Sequence, residues 1–503
     1  MIRIIDCGSQ LTQNIARRIS ENEVYPDVVP HSTPLEKILE GSPEGLIISG
    51  GQFSVNDPEA PFYTQELLEL KIPVLGICYG MQSMAYLLGG KVASGREYGK
   101  TRITVQSPVG IFKDLPQNEF VVWMSHGDAV DTPPPGFEVT ARSENGYPAA
   151  MQKGNLFAVQ FHPEVDHTEY GRQILKNFLE LCGAKKDWNK NDFIENSIAE
   201  IRRRVGDNKV VGGLSGGVDS SAASVLLARA LGENYLPIFV NNGLLRKNEA
   251  EWVIQNLTPF LNNLIYVDAS EQFLKKLAGV SNPDEKRKII GHEFVEVFQQ
   301  TASGFEGVEY LLQGTLYPDV IESLPVYGKS SKIKRHHNVG GLPAKLGLKL
   351  IEPFRNLFKD EVREIGEKLG LPKEIVWRHP FPGPGLAVRI IGEVNPAALD
   401  LLREADSRFI EELRIRDLYY QIKQAFAVLT NTSSVGVMGD EGNYQFVVGL
   451  RAVTTNDFMT ADWYDFKKDD LTAIANRIIN EVPGVNRVVY DITQKPPGTI
   501  EWE

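Results

Sequence analysis

The sequence predicts an α/β fold built on doubly wound parallel sheets, and three observations carry that expectation. The apolar run Lys209–Leu214 breaks at Ser215-Gly216-Gly217 and gives way to an Ala- and Leu-rich helical segment over residues 221–231. The same strand, tight turn and helix recur over residues 72–88, with Gly76-Ile77-Cys78-Tyr79-Gly80 at the turn. Further on, strand-like runs such as 236–240 alternate with helical ones such as 359–369, as in a parallel sheet whose ligands lie at the carboxyl ends of the strands.

A chain of 503 residues predicts roughly three domains at about 150 residues each. Its 42% hydrophobic and 23% charged content is that of a soluble globular protein. With 53 Lys and Arg against 65 Asp and Glu, the net charge of -12 argues against a general nucleic-acid or anionic-membrane surface. The opening Met1-Ile2-Arg3-Ile4-Ile5-Asp6 is strand-like, without the long apolar core of a signal peptide, and no apolar stretch reaches the length of a membrane span. Cys7, Cys78 and Cys182 make neither a disulfide framework nor a CxxC site, so a reducing cytoplasm is expected.

The run Ser215-Gly216-Gly217-Val218-Asp219-Ser220-Ser221 suits a nucleotide pyrophosphate. Unpaired N–H groups and the positive dipole end of a helix hold phosphate oxygens. Gly216 and Gly217 allow close approach, Ser215, Ser220 and Ser221 add hydroxyls, and Asp219 is placed to hold a bridging Mg2+. The run lacks the Lys of a GxxxxGK[ST] loop and the third glycine of the dinucleotide fingerprint.

The Cys78 turn has the layout of a nucleophile elbow, with a thiol where the dipole favours thiolate. A base is needed, and the strand-like residues 156–164 are expected to end in His162 and Glu164, two apart and therefore on one side. Glu164 would orient the His162 ring toward Cys78. After the strand Gly45–Ile48, Ser49-Gly50-Gly51 is placed to turn an N–H toward an oxyanion, joined by the N–H of Tyr79. Cys7 and Cys182 read as small buried hydrophobes.

On these residues the chain up to about 184 resembles a class I glutamine amidotransferase, which implies a flavodoxin-like domain. The whole chain resembles the GMP synthetase family, in which that domain is fused to an ATP pyrophosphatase with a pyrophosphate loop. The resemblance implies that Cys78 attacks the side-chain amide of L-glutamine, that Gly51 serves the oxyanion, and that Gln82 seats the substrate. His126, in Met124-Ser125-His126-Gly127-Asp128, matches a segment beside this site. Gln52 stands where the family usually has Pro.

In the second half the resemblance makes Val240 an adenine neighbour, with Asn241 in place of the usual Asp, and puts Lys359 on the ATP phosphates. Arg287, in Lys286-Arg287-Lys288, falls in the substrate-phosphate segment and suits bidentate phosphate contact. Residues 313–323 form a third signature, whose Asp319 and Glu322 read as Mg2+ or purine ligands or as ordinary turn acids. Residues 330–343 read as a basic lid with a Gly-Gly hinge, carrying His336, His337 and Asn338 as the family does and Arg335 where it more often has Ser.

The Pro- and Gly-rich 378–386 is expected to be a rigid crossing into a small α/β domain with helices at 396–414 and 469–479 and strands at 444–453 and 487–492. The family implies that this domain dimerises the protein and sends its tail into the XMP site, through Lys495, Thr499, Ile500 and Glu501. Gly498 replaces the usual Ala. The expected division is an amidotransferase at 1–184, a linker at 185–192, a synthetase at 193–378 and a dimerisation and XMP-binding domain at 379–503.

The implied function is GMP synthesis from XMP, ATP and L-glutamine with Mg2+, in a cytoplasmic homodimer with no nucleic-acid or membrane partner. An RNA-thiolating enzyme is the rival from another class, but it would need a relay cysteine, and 183–503 contains none. A nucleotide-sensing scaffold would show damaged motifs, whereas triad and loop are intact.

Overall fold

The computed structural model describes residues 1–9, 11–186, 190–316, 319, 347–438, 441–455, 458 and 460–503. The described residues up to Phe193 form one compact unit and those from Ile194 onward another.

The first unit is a nine-stranded sheet. Its parallel half comprises β1 (Ile2–Asp6), β2 (Pro26–Pro30), β3 (Gly45–Ile48), β4 (Val74–Ile77) and, last in sequence, β9 (Leu156–Val159), in the order β2-β1-β3-β4-β9. That is the 2-1-3-4-5 order of flavodoxin-like sheets. β5 (Lys91–Val105), β6 (Glu119–Thr132), β7 (Glu138–Ser143) and β8 (Pro148–Lys153) extend it in antiparallel fashion. β1, β3, β4 and β9 are wholly buried, whereas the edge strand β2 is only partly so.

The second unit holds a five-stranded parallel sheet and a smaller mixed one. β10 (Lys209–Leu214), β11 (Tyr235–Asn241), β12 (Ile265–Asp268), β13 (Val308–Leu312) and β14 (Lys349–Ile351) take the order β12-β11-β10-β13-β14. The order reverses at β10, so the crevice at its carboxyl end, where Ser215 lies, is the topological switch point. β15 (Gln424–Met438), β16 (Glu441–Thr454) and β17 (Asp462–Trp463) pair antiparallel, while β18 (Val485–Tyr490) runs parallel to β16. One apolar core joins both sheets, from Val211 and Ile238 through Phe298 and Leu386 to Phe409, Leu450 and Ile478.

Several expected bounds shift. The helix after the phosphate loop is Val218–Leu231, so Val218, Asp219 and Ser220 form its first turn, where a carboxylate complements the dipole. The polar stretch 185–192 already contains the start of the helix Lys190–Val205. β9 stops at Val159, and His162 and Glu164 follow in irregular chain. β18 ends at Tyr490, short of Ile492. Glu322, Arg335, His336, His337, Asn338 and the whole of the expected lid lie outside the described residues. Among the described residues, no helix is long and apolar enough to cross a membrane.

Candidate active sites

β4 runs into Cys78, whose backbone sits at φ 54, ψ -106, and the helix Tyr79–Leu87 begins at the next residue. A non-glycine residue there costs about 1–3 kcal/mol and persists only where its surroundings fix it. Here Cys78 N donates to Val159 O at 2.8 Å, and Cys78 O accepts from Gln82 N at 3.1 Å. The turn is also crowded, since a Cβ on Gly80 would lie 2.4 Å from Ile48 O, which explains the flanking glycine.

The Cys78 thiol donates to Ser125 O at 3.8 Å and interacts electrostatically with the His162 ring, both lying against Gly50. His162 Nδ1 lies 2.7 Å from Oε1 of the fully buried Glu164, which leaves Nε2 for Cys78. The pair meets through a turn rather than along a strand, which corrects the expectation that both residues continue the strand. The turn is pinned by His162 N on Trp123 O at 3.0 Å and by Thr168 Oγ1 on His162 O at 2.6 Å. Arg18, from the helix Thr12–Ser20, reaches Glu164 O with Nε at 3.1 Å. Burial opposes charge on His162, but the Glu164 carboxylate and the Cys78 thiol outweigh it and hold the ring well above the ordinary histidine pKa.

The Ser49-Gly50-Gly51 turn lies against this pair. A Cβ on Gly50 would stand 3.3 Å from His162 Cε1, and one on Gly51 would stand 2.8 Å from Cys7 O and 3.3 Å from Tyr79 Cγ. Gln82 Nε2 donates to Asp128 O at 2.6 Å, tying the elbow helix to β6. His126 faces Glu97 Oε2 at 3.2 Å with both side chains buried, and Asn145 Nδ2 donates to Glu97 Oε1 at 2.7 Å. Glu97 and Asn145 escape sequence reasoning because their pairing crosses a bulge between Ser94 and Glu97 and a separate turn.

In the second unit the phosphate loop is closed on itself. Ser215 Oγ and Ser220 Oγ lie 2.9 Å apart, Ser215 N donates to Ser220 Oγ at 3.2 Å, and Ser220 Oγ donates to Gly217 O at 3.2 Å. Gly216 takes φ +73, and a Cβ there would strike Val253 Cγ2 at 2.6 Å. Ser221 is fully buried. Lys359 begins the helix Lys359–Lys368 and reaches Asp219 Oδ2 at 3.3 Å, while Asp219 Oδ1 is buried and has no partner among the described residues. A carboxylate oxygen of this kind fits a hard divalent cation. Arg378, unnoticed in the sequence, places Nη1 on Gly216 O at 3.2 Å and stacks over Trp252. Val240 is buried in β11, and Asn241 accepts from Gly243 N and donates to Tyr266 Oη, so it closes the turn despite lacking the usual charge. Asp319 takes the N–H of Leu316 at 2.9 Å, a turn contact.

The tail residues gather at a third place. Lys495 Nζ donates to Phe458 O at 2.6 Å, and Thr499 Oγ1 donates to Glu501 O. Ile500 packs with Phe426, Val428 and Val453. Glu501 binds Arg389 through both oxygens and accepts from Gln424 Nε2 at 2.7 Å. Arg287 donates to the backbone oxygen of Glu503, while its neighbour Lys286 is wholly buried.

Residues 3–182 match the family model for class-I glutamine amidotransferases, residues 189–272 that for NAD synthase, and residues 411–502 that for the GMP synthase C-terminal domain. Together these matches define a glutamine amidotransferase joined to an ATP-using domain. The chain is 55% identical to the glutamine-hydrolysing GMP synthase of Carboxydothermus hydrogenoformans, covering 99% of both chains. It is 54% identical to that of Aquifex aeolicus, over 100% of this chain and 99% of the relative. The chain belongs to the glutamine-hydrolysing GMP synthase family.

Proposed function

We propose that the chain converts XMP, ATP, L-glutamine and water to GMP, AMP, diphosphate and L-glutamate, with the named residues in the following roles. Cys78 Sγ attacks the side-chain carbonyl carbon of glutamine as His162 Nε2 takes the thiol proton. The N–H groups of Gly51 and Tyr79 receive the oxyanion, and His162 returns the proton to the departing ammonia. Water then hydrolyses the glutamyl thioester. Gln82 and His126 shape the seat of the substrate. The observation that carries this half is His162, hydrogen-bonded to Glu164, lying against Cys78 at a strained elbow.

In the second unit the first turn of Val218–Leu231, with Ser215, Gly216, Gly217, Ser220 and Ser221, cradles the triphosphate. Lys359 lies over it and Val240 lies by the adenine. Mg2+, held by Asp219, would screen the phosphate charges. The C2 oxygen of XMP attacks the α-phosphorus and expels diphosphate, and ammonia then displaces AMP. Arg287 and the tail residues Lys495, Thr499, Ile500 and Glu501 hold XMP. The domain bounds are proposed as 1–184, 193–378 and 379–503. A homodimer is supported by an exposed apolar face on the third sheet, where Val435 pairs across strands with Tyr444, itself 78% exposed, beside Phe446. Sedimentation of Tyr444→Asp as a monomer would test it.

Product analysis tests the reaction. AMP and diphosphate should form in step with GMP; ADP and phosphate would overturn the assignment.

A further inference from the structure

Among the described residues, Lys286, Arg389 and Arg451 are the cations with 0% exposure, and all three end on the segment 491–503. Arg451 Nη1 donates to Thr493 O at 2.6 Å and to Asp491 O at 3.3 Å, and its Nη2 donates to Thr499 O at 3.3 Å. Arg389 grips Glu501 with its fork, Nε to Oε2 at 3.0 Å and Nη2 to Oε1 at 2.8 Å, between the rings of Phe381 and Phe426. Lys286 Nζ spends its three N–H groups on Ala387 O at 3.1 Å, Ile390 O at 2.7 Å and Glu503 Oε2 at 2.6 Å.

Stability alone does not call for this arrangement. Buried ion pairs are commonly no more stabilising than apolar residues of the same size, and Ile500 already anchors the segment by its side chain. What charged forks add is direction, because a bidentate guanidinium fixes both the place and the orientation of a carboxylate. One such fork, from Arg389 to Glu501, together with the N–H bonds of Arg451 and Lys286 fixes the segment at 493, 499, 501 and 503, on either side of Lys495.

We propose that Lys286, Arg389 and Arg451 are positioning residues for the acceptor nucleotide. They clamp the segment 493–503 before XMP arrives, so that Lys495, Thr499 and Ile500 meet it as a preformed edge. The proposal rests on the reading that this segment contacts XMP. A preformed edge removes the ordering cost from binding, so the clamp acts on the affinity for XMP.

The test uses the full chain with ammonia as nitrogen donor and the variants Arg389→Lys, Glu503→Gln and Lys495→Ala. Arg389→Lys keeps the charge and loses the fork. It should raise KM for XMP about tenfold while leaving KM for ATP unchanged. Amide exchange over 493–503 should quicken in the free protein and slow again at saturating XMP. Glu503→Gln, at the Lys286 end of the clamp, should move both readouts the same way by less. Unchanged exchange, or KM for ATP rising in step with KM for XMP, overturns the clamp. If Lys495→Ala raises KM for XMP and the two clamp variants do not, the clamp alone fails. If Lys495→Ala has no effect, the reading of the segment as an XMP contact fails with it.

Discussion

Lys359 Nζ stands 3.3 Å from Asp219 Oδ2, which joins residues 140 positions apart at the mouth of the phosphate loop. With the two side chains 34% and 28% exposed, such a pair contributes only about 0–1 kcal/mol to stability. Its place fits the roles proposed for it on ATP and Mg2+. Asp219→Ala and Lys359→Met should leave the melting temperature nearly unchanged and lower AMP formation on the order of a hundredfold or more, because phosphoryl chemistry depends on positioning and charge. Glutaminase activity should survive in both. Equal loss of both activities would point to misfolding.

Cys78→Ala removes the proposed nucleophile but no residue proposed for the second unit's chemistry. Glutamine-dependent GMP synthesis should vanish while synthesis from free ammonia persists. A variant that ammonia cannot rescue would sink the assignment of Cys78.

Glu164→Gln keeps the shape beside His162 and loses the charge. The glutaminase rate should fall on the order of a hundredfold, since the base is no longer oriented or favoured in its charged form. The linkage has a definite sign. Because the folded His162 pKa is raised above 6.5, its contribution to stability is complete below 6.5 and is lost as pH rises through the raised value. The gap in melting temperature between wild type and variant should therefore narrow as pH climbs above 6.5. A gap that widens would contradict the raised ring.

His379 behaves in the opposite way. It is buried and stacked on Tyr419, with Nε2 donating to Tyr419 O at 2.8 Å and Nδ1 accepting from Ala425 N at 3.2 Å. Burial pushes its pKa down to about 4. With the unfolded value at 6.5, the stability that His379 contributes is full above 6.5 and is lost as pH falls toward 4. Thermal melts at pH 7 and pH 5 should show this loss, and His379→Gln should flatten it. An equal slope in the variant would assign the acid sensitivity elsewhere.

The sequence revealed what is local. A buried strand, a glycine turn and a helix follow one another within about two dozen residues at both Cys78 and Ser215, and the structure keeps β3, β4 and β10 where the apolar runs put them. It hid what is joined at long range. Lys286 looks like a solvated member of a basic triplet, and only the packing of the helix Pro283–Ser303 against 387–390 shows that it is buried while Arg287 stays at the surface. Arg389 meets Glu501 across 112 positions and carries no periodic signal of its own. The Glu97 and His126 pair needed the register of two strands and a bulge, which side-chain alternation alone does not supply.

The chain's other two thiols have a practical meaning. Burial, aided by nearby carboxylates, drives the Cys7 thiol far above its ordinary pKa and the Cys182 thiol up to about 12, so neither supplies thiolate near neutral pH. Cys78 alone sits beside a histidine able to take its proton. A glutamine-shaped electrophile should then mark one atom in 503 residues, and its stoichiometry would count working glutaminase sites directly, without a product assay.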